Sequence, residues 1–194
     1  MNYQPASQLL NDRIILVTGA SDGIGREAAV TYARYGAQVI LLGRNAQKLQ
    51  NVADEIAAVG KPSPLFFTLD LDSATPEACR QLADEISRHV PRLDGVLHNA
   101  GLLGDVVPMT EQDPAVWQQV MRVNVDATFF LTQALLPLLL KSQASSLVFT
   151  SSSVGRQGRA GWGAYSVSKF ATEGMMQVLA EEYRGQLRVN CINP

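Results

Sequence analysis

The sequence is poor in the residues that build metal sites and disulfide frameworks. Its 194 residues include two cysteines, Cys79 and Cys191, and two histidines, His89 and His98. The cysteines have neither the spacing of a zinc site nor the number of a disulfide scaffold, so we expect two free thiols in a reducing compartment. No cysteine or carboxylate cluster surrounds the histidines at ligand spacing. The sequence therefore predicts no metal centre.

Runs of charge and long apolar runs are also missing. Charged residues make up 18% of the chain and are scattered, with a net charge of −2, which argues against nucleic acid or a membrane as partner. The longest apolar stretch, 127–140, is interrupted by polar residues and is shorter than the roughly 20 apolar residues of a spanning helix. The N-terminal segment lacks the basic-then-apolar order of a signal peptide. We expect a cytoplasmic protein.

What the sequence does have is a regular alternation of strand-like and helix-like segments. Six runs are near-continuously apolar, as expected of strands covered on both faces. They are Arg13–Thr18, Gln38–Leu42, Leu65–Leu69, Gly95–His98, Ser146–Thr150 and Arg188–Ile192. Segments between them carry apolar residues at helical spacing, such as Leu49, Val52 and Ile56, and Pro76 and Pro114 mark helix starts. This alternation predicts an α/β fold in which crossover helices join parallel strands.

A glycine-rich turn follows the first strand-like run directly. It reads Thr18-Gly19-Ala20-Ser21-Asp22-Gly23-Ile24-Gly25 and leads into a helix-like segment through about Tyr35. Gly19 permits a tight turn, Gly23 lets the backbone approach a phosphate, and Gly25 allows close packing of helix on strand. The helix N-terminus offers free N–H groups to a pyrophosphate. After the first strand of an alternating chain, the pattern favours a dinucleotide site over an unliganded turn, and hence a doubly wound sheet of the Rossmann type.

The end of the second strand-like run bears on the choice between NAD and NADP. NAD sites place a carboxylate there for the ribose 2′-hydroxyl, whereas an arginine suits the 2′-phosphate of NADP. This sequence has Gly43 followed by Arg44, whose guanidinium can bind phosphate through two charge-assisted hydrogen bonds. The alternative is a solvated arginine at the start of the next helix. The residues favour NADP(H).

Tyr165 and Lys169 lie four apart at the start of an apolar helical segment, so they share one helix face. A free phenol has a pKa of about 10, and a nearby positive charge favours the phenolate. Tyr165 could then donate a proton to a carbonyl oxygen or accept one from an alcohol. Ser152 precedes Tyr165 by thirteen residues, at the end of the fifth strand-like run. Its hydroxyl could hydrogen-bond the substrate oxygen.

Together these segments resemble the short-chain dehydrogenase/reductase family in its shorter, non-extended branch, over residues 13–194. The matching motifs are Thr18-Gly19-x-x-x-Gly23-Ile24-Gly25, Asn99-Ala100-Gly101, Asn124, Ser152 and Tyr165-x-x-x-Lys169. Within the family, the sequence is similar to bacterial oxidoreductases named by analogy with oxoacyl-carrier-protein reductases. The resemblance implies hydride transfer between NADP(H) and a small-molecule carbonyl or secondary alcohol.

The resemblance also implies roles that spacing alone does not assign. Asp70 would bind adenine, Asn124 would hold a water linking Lys169 to solvent, and Lys169 would hold the nicotinamide ribose. Ser152 is chosen over its serine neighbours by the family spacing. The implied catalytic residues are Asn124, Ser152, Tyr165 and Lys169. The implied cofactor-binding residues are Gly19, Ser21, Asp22, Gly23, Ile24, Gly25, Arg44, Asp70, Leu71, Asn99, Ala100, Gly101, Tyr165, Lys169 and Pro194.

Two positions depart from the family pattern. Asp22 stands where some NADP-preferring members carry a basic residue, and His98 stands where the family usually has asparagine. Since the fourth strand should be buried, we interpret His98 as a packed core residue and not as an acid or base.

The resemblance bears on domain organisation and assembly as well. The family pattern continues past Pro194, so residues 1–194 are interpreted as one dinucleotide-binding and catalytic domain without the family's C-terminal part. The family's helices around 129–140 and 170–179 pair across a two-fold axis, which implies a homodimer or homotetramer. The alternatives to an enzyme are a catalytically silent NADP-binding sensor and an interaction module whose partner completes the fold.

Overall fold

Six parallel strands form one sheet in the computed structural model, which describes residues 5–58 and 62–194. They are β1 (Ile14–Thr18), β2 (Gln38–Gly43), β3 (Leu65–Thr68), β4 (Gly95–His98), β5 (Ser146–Thr150) and β6 (Arg188–Ile192). All six predicted strands are confirmed. The differences are one residue each: Arg13 and Leu69 lie outside the strands, and Gly43 lies inside β2.

Helices connect the strands. They are α1 (Gly23–Arg34), α2 (Ala46–Ala58), α3 (Pro76–His89), α4 (Pro114–Met121), α5 (Ala127–Leu139) and α6 (Gly163–Glu182). The prolines at the first positions of α3 and α4 confirm the predicted helix starts, and side-chain oxygens of Thr75 and Asp113 cap these helices. A π-helical turn, Arg122–Asp126, joins α4 to α5.

The strand order is β3-β2-β1-β4-β5-β6, which confirms the predicted doubly wound parallel sheet. From β1, the chain adds β2 and β3 on one side. It then crosses back, and β4 pairs with β1 on the other side. The Thr18 hydroxyl accepts hydrogen bonds from the backbone N–H groups of Asn99 and Ala100, both 3.0 Å long, and so ties the ends of β1 and β4 together. The strand order reverses between β1 and β4. In doubly wound sheets, ligands bind in the crevice at the point where the strand order reverses.

Apolar side chains cover both faces of the sheet. Leu16 and Val17, consecutive on β1, are fully buried in two different clusters because successive side chains of a strand point to opposite faces. The Leu16 cluster includes Leu135 of α5, and the Val17 cluster includes Ala29 of α1 and Val52 of α2. Burial on both faces explains why the sequences of the inner strands, β2, β1, β4 and β5, read as nearly continuous apolar runs.

His98 is a core residue, as the sequence analysis expected. Its ring stacks on that of Phe149 with centroids 5.2 Å apart, and its Nε2 lies 3.0 Å from the Thr132 hydroxyl. Burial lowers the pKa of His98 to about 3, so the ring is neutral at physiological pH.

Candidate active site

A cleft of about 760 Å³ opens at the carboxyl ends of β1 and β4. Its volume is within the usual range of small-molecule sites. Most of the sequence-predicted site residues lie on its wall. They are Gly19, Ser21, Asp22, Gly23, Ile24, Arg44, Asp70, Leu71, Asn99, Ala100, Gly101, Ser152, Tyr165, Lys169 and Pro194. Two predicted residues, Gly25 and Asn124, lie behind the wall.

The glycine turn has the conformation that its glycines allow. Gly19 and Gly23 have φ angles of +65° and +51°, in the left-handed region that other residues avoid. A side chain at Gly25 would overlap the Gly19 carbonyl oxygen and would come within 2.6 Å of the Asn99 side-chain nitrogen. Gly25 thus acts through packing, and it brings the N-terminus of α1 against the cleft.

The end of β2 lacks a carboxylate, as the sequence indicated. A Cβ at Gly43 would lie 3.5 Å from the Ser21 hydroxyl and 3.3 Å from Leu49, so the space beside Ser21 is left free. Arg44 is exposed on the cleft wall next to it. The part of the cleft wall formed by Ser21 and Arg44 combines a hydroxyl donor and a guanidinium, which suits a phosphate.

The loop after β3 is fixed by a network that sequence reasoning missed. Asp72 accepts hydrogen bonds from Gln119 of α4, at 2.7 Å, and from Arg122, at 3.0 Å. These contacts lower the pKa of Asp72, with the Gln119 hydrogen bond as the largest cause. The predicted residue Asp70 accepts a hydrogen bond from the backbone N–H of Asp72. The Asp-x-Asp pattern after β3 was the only sequence signal for this network, and its partners are about 50 residues away.

Lys169 is held between the helix and the sheet. It lies in the second turn of α6, and its Nζ donates a 2.7 Å hydrogen bond to the Thr150 carbonyl oxygen at the end of β5. The same nitrogen lies 5.4 Å from the centroid of the Tyr165 ring, so the predicted pair does come together. Burial lowers the pKa of Lys169 to about 8.

The pKa of Tyr165 differs from the sequence-based expectation. A neighbouring cation was expected to lower it, but the half-buried phenol has its pKa raised by burial, and a hydrogen bond with Ser152 opposes that effect. The physical reason is that burial removes water from the phenol, while the Lys169 ammonium directs its hydrogen bond to the Thr150 carbonyl oxygen. In this state the phenol is protonated at neutral pH, which is the form that donates a proton.

The turn that carries Ser152 packs directly on α6. A Cβ at Gly155 would lie 2.8 Å from the Cβ of Lys169, so only glycine allows this approach. The Ser166 hydroxyl donates to the Val154 carbonyl oxygen at 2.6 Å. An ion pair of 3.2 Å, between Arg156 and the buried Glu173, adds a third tie. These contacts fix Ser152 relative to the residues of α6.

Asn124 lies in the π-helical turn, and its side chain makes three hydrogen bonds. It accepts a hydrogen bond from the Leu102 N–H at 2.7 Å, and donates to the Leu102 carbonyl and to the Ser168 hydroxyl, both at 2.9 Å. It therefore fixes the loop after β4 to the second turn of α6. A Cβ at Gly101 would have the Asn124 oxygen and the Lys169 ammonium within 3.6 Å, so these two predicted residues flank Gly101.

Within residues 5–58 and 62–194, no cluster of three or more histidine, cysteine or acidic side chains could hold a metal ion. Over the same described residues, every helix is too short or too polar to cross a membrane. Cys79 and Cys191 are both unpaired in this part of the chain.

The strand order, the glycine turn entering α1 and the cleft at the reversal point define a dinucleotide-binding α/β protein. A family model described as short chain dehydrogenase matches residues 13–194. The chain belongs to the short-chain dehydrogenase family.

Proteins of Escherichia coli and Shigella flexneri are among those similar to this chain. The uncharacterized oxidoreductase YciK of Escherichia coli K12 is 74% identical over 194 residues, which span this whole chain and 77% of that protein. A short chain dehydrogenase of Shigella flexneri complexed with NADP is 73% identical, with a TM-score of 0.96 over 97% of this chain and 79% of that one. One of Escherichia coli complexed with NADPH is 74% identical, with a TM-score of 0.97 over 98% of this chain and 79% of that one.

Proposed function

We propose that the chain binds NADP(H) in the cleft and supports hydride transfer between this cofactor and a carbonyl or secondary alcohol. The observation that carries the proposal is that Ser152, Tyr165 and Lys169 share one cleft with the glycine turn. The NADP and NADPH complexes of the Shigella and Escherichia proteins support the choice of cofactor.

The cleft fits a dinucleotide phosphate on its own geometry. Gly23 leaves the turn backbone open to the cleft, since no atom lies within 4 Å of a Cβ built there, whereas a Cβ at Gly19 would lie 3.0 Å from the Ala100 Cα. The Ser151 hydroxyl is buried without a hydrogen-bond partner among the described residues, and Ser151 lines the same cleft. An orphaned hydroxyl of this kind is costly unless a ligand satisfies it.

Each wall segment then has a role in binding. The turn and the N-terminus of α1 hold the pyrophosphate, and Arg44 with Ser21 holds the 2′-phosphate. Asp70 and Leu71 border the adenine, the segment Asn99–Gly101 lies along the adenosine ribose, and Lys169 holds the nicotinamide ribose. When bound, the cofactor supplies the hydride in reduction and accepts it in oxidation.

The chain's own residues handle the proton and the substrate oxygen. Ser152 donates a hydrogen bond to that oxygen and stabilises the negative charge that develops on it. The phenol of Tyr165 gives its proton to the same oxygen in reduction and takes one back in oxidation. Lys169 keeps a positive charge beside the phenol, and Thr150 holds the ammonium in place. We assign Asn124 to the path by which the proton is replaced from solvent.

Turnover of a panel of ketones and secondary alcohols, followed by NADPH absorbance, tests the proposal. The protein should turn over at least one substrate pair, and Tyr165→Phe should lower kcat by about 100- to 10,000-fold, the usual contribution of a general acid. The affinity for NADPH should stay within about twofold, because the lost hydroxyl acts on the substrate. Wild-type turnover by the phenylalanine variant would contradict the role of Tyr165. Tight NADPH binding without turnover on any substrate would favour the silent sensor.

The cofactor preference is tested separately by Arg44→Ala. We expect NADPH to bind more tightly than NADH, and this substitution to remove most of the difference because it removes the guanidinium at the 2′-phosphate corner. Isothermal titration with both cofactors measures it. Arg34→Ala, in the exposed last turn of α1, is the matched control and should change neither affinity. Equal affinities in the parent protein would contradict the assignment.

A further inference from the structure

The cleft wall contains a carboxylate, Asp22, whose negative charge should repel a bound phosphate. Asp22 is exposed on the cleft wall, directly after Ser21, and Arg44 lines the same cleft. It is the N-cap of α1, and its Oδ1 accepts a 2.9 Å hydrogen bond from the Gly23 N–H. The helix start therefore uses this side chain, while its negative charge disfavours a 2′-phosphate next to it.

Lys48 neutralises this carboxylate from another element. It lies in the first turn of α2, and its Nζ is 3.0 Å from Asp22 Oδ2. The Lys48 backbone N–H also donates a 3.0 Å hydrogen bond to the Asn45 side chain. The lysine is thus fixed at both ends, by a cap on its own helix and by an ion pair to the glycine turn. The hydrogen bond from Lys48 is the largest cause of the lowered pKa of Asp22.

The ion pair has little to contribute to folding. The side chains of Lys48 and Asp22 are 56% and 78% exposed, and exposed pairs of this kind stabilise a protein only weakly. Its position is more informative than its energy. The pair connects the glycine turn to the start of α2, and Asp22 lines the same cleft as Gly43 and Arg44, where a 2′-phosphate would lie.

We propose that Lys48 is a specificity-determining residue for the 2′-phosphate, and that it acts by cancelling the charge of Asp22. This inference depends on the proposed function, because it concerns the cofactor of the same cleft. A basic charge reaches the glycine turn from α2, so the turn can keep an acidic helix cap and still admit a phosphorylated ribose.

Isothermal titration with NADP⁺ and NAD⁺ tests the proposal, since the two differ only in the 2′-phosphate. Lys48→Met should weaken NADP⁺ binding by about tenfold, the Coulomb effect of an uncancelled carboxylate near a phosphate, and leave NAD⁺ within about twofold. The double variant Lys48→Met with Asp22→Asn should recover NADP⁺ affinity to within about threefold of the parent. Asparagine keeps the helix cap, so α1 remains intact. Lys141→Met, after the end of α5, is the control.

Each outcome separates this inference from the proposed function. A parent protein that does not prefer NADP⁺ would contradict the proposed cofactor. A parent that prefers NADP⁺, with Lys48→Met unchanged in both affinities, would contradict only the role of Lys48. A loss that persists in full in the double variant would also overturn the proposal, because Lys48 would then act on the phosphate without Asp22.

Discussion

At the scale of single residues, burial controls the charge of the two groups on α6 that face the cleft. Burial raises the pKa of Tyr165 and lowers that of Lys169 to about 8, so both shifts favour the uncharged forms. The Ser152 hydrogen bond opposes the shift of the phenol. A protonated phenol beside a lysine that still carries charge at pH 7 is the arrangement that the proposed carbonyl reduction would use.

The pH dependence of cofactor capture follows from Lys169. Because the pKa of this base is lowered, its charge is present below about pH 8 and is lost as the pH rises through that value. The kcat/KM for NADPH reports groups of the free enzyme, so it should be flat near neutrality and fall above about pH 8. Steady-state rates between pH 6 and pH 10, in about 0.15 M salt, measure this. In Lys169→Arg the fall should move to higher pH, because a guanidinium keeps its charge. A kcat/KM for NADPH that falls below neutral pH and stays constant above pH 8 would contradict this role of Lys169.

At the scale of elements, the contacts between the Ser152 turn and α6 position the site. Glu173 is buried on α6, and Arg156, which follows the turn, is its ion-pair partner. Most of the Arg156 side chain is exposed, whereas the Glu173 side chain is buried, so it is mainly the arginine end of the ion pair that contacts solvent. Losing the arginine would leave a carboxylate buried without its partner, which is costly.

We expect Arg156→Ala to lower kcat by about tenfold, because a shift of the turn misplaces Ser152 relative to Tyr165. The affinity for NADPH should change little, since Arg156 and Glu173 do not lie on the cleft wall. Glu173→Gln added to Arg156→Ala removes the uncompensated charge and should recover part of kcat. Arg80→Ala, in the exposed pair with Glu77 on α3, is the control and should match the parent. A large loss in NADPH affinity with kcat unchanged would show that the ion pair does not position Ser152.

The sequence was sufficient to predict elements because each element depends on local information. The four inner strands could be predicted since their side chains are mostly buried on both faces, whereas the edge strands β3 and β6 are only partly buried. Helices α3 and α4 could be predicted because proline begins each of them. Contacts between distant segments could not be predicted. The Lys48–Asp22 pair, the hydrogen bond from Lys169 to the Thr150 carbonyl and the partners of Asp72 all depend on how the folded sheet juxtaposes remote residues.

The pKa of Tyr165 could not be predicted for a related reason. The four-residue spacing from Lys169 correctly predicted that the two side chains are neighbours. The sign of the shift depends on the balance between desolvation and charge, and that balance depends on burial and on where the ammonium directs its hydrogen bond. Neither quantity is encoded in spacing.

At the scale of the whole molecule, two helices on one side of the sheet expose apolar side chains. Phe129 of α5 is 47% exposed, and Phe170 and Val178 of α6 are 46% and 56% exposed. Other apolar residues of α5, such as Leu131 and Leu135, are fully buried in the core. The exposed set lies on the helices that the sequence analysis assigned to a subunit interface, and exposed apolar patches commonly mark such interfaces.

We expect the protein to form a two-fold dimer, or a tetramer that contains it, through α5 and α6. Phe129→Lys with Phe170→Lys should give a monomer at micromolar concentration, because two buried charges would face each other across the axis. Light scattering measures the mass. Leu9→Lys replaces a similarly exposed apolar residue elsewhere and should keep the parent's mass. A monomeric parent protein would refute the interface.

Isotope transfer tests the central claim, that this cleft carries out hydride transfer with Tyr165 as the proton donor. NADPH bearing two deuterium atoms at C4 of the nicotinamide is incubated with a ketone that the protein reduces, and the alcohol is analysed by mass spectrometry. We expect one deuterium on the carbinol carbon per molecule of NADPH consumed, and we expect Tyr165→Phe to form product more slowly by about 100-fold or more. An alcohol without deuterium, or full deuterium transfer by the phenylalanine variant at the wild-type rate, would contradict the central claim.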